Sequence, residues 1–194
     1  MSQFWLYFNL GLQHVLDWQA YDHVLFITVL VAAYSINEWK KIIWLVTIFT
    51  LGHTLSLALS TFEVVIVRSE LVEFLIPLTI LLTAVYNLTR AGKKSGNNKI
   101  QVLYFATLFF GIIHGLGFST YFKMISGSSS DIVLPLLEFA LGIEAAQIIV
   151  VLVVLLLSFL VQYIFKFSQR DWILVVSSIV IGFAIPMLIE NIFW

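Results

Sequence analysis

Six stretches of this chain, near residues 22–37, 42–60, 71–90, 101–122, 133–165 and 172–193, are apolar for almost their whole length. A helix that crosses a bilayer needs about 20 such residues. Each stretch is near that length, and the fifth is long enough to tilt or to extend past the membrane. Composition makes the same point. The sequence is 61% hydrophobic and 11% charged, where soluble domains have about 45–50% apolar and about 25% charged residues. A soluble fold of 194 residues has too little interior to hide that much apolar surface. Lipid is therefore the expected solvent. The expected fold is all-α, a polytopic membrane helix bundle of about six transmembrane helices in one domain spanning 1–194. The connections are short, the most polar being Gly92–Asn98 and Ser126–Asp131, and no large soluble domain fits between the spans.

Residues 1–20 follow a different pattern. Phe4, Phe8, Leu12 and Leu16 recur every four positions, which places them in one apolar helical stripe. This predicts a short helix that lies in the membrane interface or tucks against the bundle. The segment has neither a basic n-region nor a small-residue cleavage site, so it reads as mature structure.

Basic residues set the expected orientation. Lys40, Lys41, Arg90, Lys93, Lys94, Lys99, Lys166 and Arg170 follow the first, third and fifth spans, and the opposite side has Arg68 and Lys123. Lys and Arg accumulate on the cytoplasmic side, so the expectation is an inner (plasma) membrane protein with both termini extracytoplasmic. A net charge of −1 offers no basic face to nucleic acid. With no cysteine, disulfides, thiolate ligands and a thiol nucleophile are excluded.

The ionisable residues within the spans gather on the extracytoplasmic side. Asp22 and His23 open the first span, Glu73 lies at the mouth of the third, and His53 and His114 lie roughly 10 and 12 Å deep at the helical rise. Glu144 lies roughly 16 Å deep, and His14 precedes the first span. The inner half offers Thr47, Thr83, Asn87, Ser158 and Gln162, but no ionisable group well inside the membrane. An ionisable group in a bilayer is costly and normally faces a partner in the bundle interior. Imidazole with carboxylate suits zinc, nickel, cobalt or ferrous iron. His14, Asp22, His23, His53, His114 and Glu144 are thus candidate ligands of a divalent transition metal such as nickel, zinc or cobalt. Gly52, Gly111, Gly115, Gly117 and Gly142 lie beside them, and small residues let membrane helices approach closely. A blander reading uses the same residues. His53, His114 and Glu144 then hydrogen-bond between helices, Asp22–His23 caps the first span, and His14 is a solvated interface residue.

The stretches GLQHVLDWQAYDHVLF (11–26), FTLGHTLSLAL (49–59), FFGIIHGLGFS (109–119) and FALGIEAAQ (139–147), taken together, resemble the HupE/UreJ family of membrane proteins. The resemblance covers nearly the whole chain. It implies a small polytopic protein regarded as a nickel or cobalt permease. It matches the family's N-terminal His motif to His14, Asp22 and His23, its His-Gly motif to His114 and Gly115, and a following glutamate to Glu144. Gly52-His53-Thr54 replaces the family's commoner Ala-His-Ser, and this divergence leaves the transported ion open.

Three functions fit these features. The first is a metal carrier. The second is an intramembrane zinc hydrolase, in which three ligands leave a position for water and Glu144 or Glu73 acts as general base. The third is a metal sensor or assembly partner without turnover. Membrane lipid and a divalent ion are the expected partners, and a homo-oligomer is compatible with the sequence.

Overall fold

The computed structural model describes residues 2–92, 98–126 and 132–194. Lys93, Lys94 and Asp131, with most of the two polar loops around them, lie outside the described residues, as does the side chain of Lys99. The helices are α1 (Gln3–Leu16), α2 (Asp22–Ala32), α3 (Trp39–Thr61), α4 (Ser69–Arg90), α5 (Asn98–Ser126), α6 (Val133–Ile164) and α7 (Gln169–Glu190), with a 3-10 turn at Ile36–Glu38 before α3. No strand occurs among the described residues. Helices α3 to α7 are long and apolar enough to cross a membrane, and the apolar side chains they leave exposed, such as Leu152, Leu156 and Phe159, suit lipid as the surrounding medium. The molecule is a helical membrane protein.

The first expected span is shorter than its apolar run. Helix α2 ends at Ala32, and Tyr34 and Ser35 leave the helical path before the 3-10 turn Ile36–Glu38. Eleven residues reach about 16 Å at 1.5 Å per residue, roughly half of a 30 Å hydrocarbon layer. This short helix is central. His23, Phe26, Ile27 and Val29 to Ala32 are buried, and α4, α6 and α7 surround it. Asn87 of α4 donates from Nδ2 to the Val29 carbonyl at 2.6 Å, which ties the C-terminal part of α2 to its neighbour.

Two helix pairs form the rest of the frame, each joined through glycines. Parallel α3 and α5 meet at Gly52, Gly111 and Gly115, where an added Cβ would run into the carbonyls of Leu108, Phe49 and His53. Helix α1 is tucked against α6. Gly11 faces the Phe139 carbonyl and Gly142 faces the Phe8 carbonyl. The absence of side chains there lets the backbones touch, the usual device of membrane helix packing. Helix α7 begins with a reciprocal cap. The Asp171 N–H donates to Ser168 Oγ at 3.2 Å, and the Ser168 N–H donates to Asp171 Oδ2 at 3.1 Å, which satisfies two of the helix's unpaired donors.

Candidate metal centre

The four histidines come from four helices and meet. His14 is in the last turn of α1, His23 is the second residue of α2, and His53 and His114 lie in the middle of α3 and α5. The ring centre of His23 is 4.6 Å from that of His14, 5.6 Å from His53 and 5.2 Å from His114, and His14 is 5.5 Å from His53. The glycine contacts explain the convergence. Gly11 and Gly111 each precede a histidine by three residues, so the faces that bring α1 to α6 and α5 to α3 also direct His14 and His114 into the bundle.

His14, His23 and His53 each offer a nitrogen, and these three atoms lie within 4.8 Å of one another. Two nitrogens about 2.1 Å from one tetrahedral ion stand about 3.4 Å apart, so small side-chain rotations close the trio on a cation. His14 Nε2, His23 Nε2, His114 Nε2 and both nitrogens of His53 are buried without hydrogen-bond partners. Each orphaned polar atom costs about 1–3 kcal/mol, a cost that a shared cation removes. Histidines serving as interhelical hydrogen-bond partners would not leave these nitrogens bare, and none of the four bonds to another. The donor set fits a divalent transition metal.

Two rings are held in the tautomer that coordination needs. His23 Nδ1 lies 2.9 Å from Asp22 Oδ1, and His114 Nδ1 lies 2.8 Å from the Phe110 carbonyl. With the proton on Nδ1 donated to these oxygens, each Nε2 presents its lone pair. Asp22 thus orients His23, and its Oδ1 also accepts the His23 backbone N–H at 2.7 Å. Phe118 packs on His14 with centres 4.0 Å apart, and Phe49 lies 5.1 Å from His114. These apolar walls limit how far the rings can turn.

Above the trio is a cavity of about 900 Å³, lined among others by His14, Asp17, Asp22, His23, Glu73 and His114. Asp17, Trp18 and Ala20 of the α1–α2 linker line it together with Asp22 and His23. Glu73 lies in the wall of this cavity. Glu144 does not join the trio. Its Oε1 accepts from Thr47 Oγ1 of α3 at 2.7 Å, and beside this pair Thr50 Oγ1 donates to Gln147 Oε1 at 3.0 Å. The sequence reading overlooked Gly11, although its spacing to His14 repeats that of Gly111 to His114.

A family model described as HupE / UreJ protein matches residues 1–190. The chain belongs to the HupE/UreJ family. The match includes all four histidines and every helix described above. No curated protein and no solved structure matches the chain.

Proposed function

We propose that this HupE/UreJ protein is a carrier of a divalent transition metal of the nickel and cobalt type, which it takes up at a histidine site facing the extracytoplasmic side. The supporting observation is the convergence of three imidazoles from three helices, with unpartnered nitrogens, beneath a cavity open to the α1–α2 linker. The metal is the cargo. In this reading His14, His23 and His53 replace its water, His114 stands beside them as a fourth donor, and Asp22 keeps His23 in its coordinating tautomer. Lys40, Lys41, Arg90, Lys166 and Arg170 lie at the opposite end of the helices from the cavity, which supports a plasma-membrane orientation with the cavity outside.

A second reading is an intramembrane zinc hydrolase, and Glu73 favours it as a carboxylate in the wall of the same cavity. Uptake by proteoliposomes separates the readings. The carrier accumulates nickel or cobalt inside vesicles, and His53→Ala, in a protein that still folds, reduces accumulation to the level of empty vesicles. Tight metal binding without flux in the unaltered protein overturns the carrier and leaves the hydrolase or a metal sensor.

A further inference from the structure

Glu144 is the feature that the histidine centre leaves unexplained. Thr47 and Thr50 are three residues apart on α3, Glu144 and Gln147 are three apart on α6, and the two pairs face each other. Thr50 is also three residues from His53, so this polar patch begins about one helical turn, some 4.5 Å of rise, from the imidazole trio. It continues toward the end of α3 that carries Lys40 and Lys41. It therefore lies inward of the trio.

The patch is incomplete as a hydrogen-bonded network. Glu144 Oε1 has the Thr47 hydroxyl, but Glu144 Oε2 and Gln147 Nε2 are buried without partners, and Gln147 is fully buried. Among the described residues, the ion pairs formed by Lys, Arg or His do not include Glu144. One hydroxyl donor does not balance the desolvation of a carboxylate. The second carboxylate oxygen is free to take a cation. The oxygens gathered here are a carboxylate, a side-chain carbonyl and two hydroxyls, a hard donor set that accepts divalent ions and holds late transition metals less tightly than imidazole does.

We propose that Glu144, Gln147, Thr47 and Thr50 form a second, oxygen-lined station for a divalent cation between α3 and α6. Its existence as a binding site stands independently of the histidine centre. Its use as the next stop of an ion moving inward rests on the carrier reading. A weaker hard site after a tighter imidazole site gives the ion a way to leave the trio toward the inner face.

Cobalt alone, titrated into the full chain in lipid nanodiscs, tests this. The expected result is two ions per chain in the unaltered protein, one tight and one weak. Glu144→Gln keeps the shape and the acceptor for Thr47. It loses the weak ion, keeps the tight one, and lowers cobalt uptake by about tenfold or more. His53→Ala loses the tight ion and keeps the weak one. Thr47→Val, which leaves the carboxylate in place, weakens only the second ion and supports the station without touching its charge. The proposal is overturned if Glu144→Gln still binds two ions, or if the unaltered protein binds a single ion that His53→Ala removes. Loss of the tight ion from the unaltered protein, with the weak one present, refutes the carrier reading and leaves the station standing.

Discussion

Which nitrogen of an imidazole coordinates is set by the hydrogen bond that the other one makes. Asp22 does this for His23, and its position beside that residue at the start of α2 makes the bond short and local. Asp22→Asn is expected to weaken cobalt binding about 10- to 100-fold, the usual effect of removing a carboxylate behind a metal-bound histidine. Calorimetric titration measures it, and an unchanged affinity removes Asp22 from the centre. The sequence made Asp22 and His23 conspicuous, because two ionisable residues at the head of an apolar run need a reason. It did not distinguish a ligand from a residue that orients one, since adjacency on a helix permits both. Glu144 shows a related limit. Counting residues from a span's end gives depth along one axis, and depth alone put Glu144 near the histidines. Its lateral position depends on which face of α6 meets α3, and the Thr47 and Thr50 bonds fix that only in three dimensions.

At the scale of elements, glycine contacts decide where the histidines are. His14 reaches the centre only if α1 lies close along α6, and Gly142 permits that approach to the Phe8 carbonyl. Gly142→Ala places a methyl group against backbone, which cannot yield as a flexible side chain can. The expected cost is about 1–3 kcal/mol, with weaker cobalt binding because α1 carries His14 outward. A thermal melt and a titration on the same sample check both effects, and an unaltered affinity separates α1 from the site. Most helices were readable in advance, since apolar runs near 42–60, 71–90 and 172–193 end within a few residues of α3, α4 and α7. Hydropathy shows which residues tolerate lipid and does not show where helical hydrogen bonding stops. For that reason the run at 22–37 overstated α2, whose last turns are replaced by the chain at Tyr34 to Glu38.

For the whole molecule, the absence of cysteine gives a clean test of orientation. Trp18, which lines the cavity, and Phe167, between α6 and α7 beside Lys166 and Arg170, are both exposed. In intact cells, Trp18→Cys is expected to react with a membrane-impermeant maleimide. Phe167→Cys is expected to react only after the membrane is opened. The reverse pattern inverts the assignment of the basic end to the cytoplasm.

The shortness of α2 has an electrical consequence. With the cavity on the extracytoplasmic side, as the carrier reading has it, the outer potential reaches down to Asp22 and His23, and most of the membrane voltage falls across the remaining depth of the protein. An ion arriving at the imidazoles crosses little of that field, whereas one leaving them for the inner face crosses most of it. For a divalent ion at 100 mV, inside negative, that passage is worth up to about 4.6 kcal/mol, twice the value for a single charge. Cell voltage would then drive release from the histidines more than capture by them.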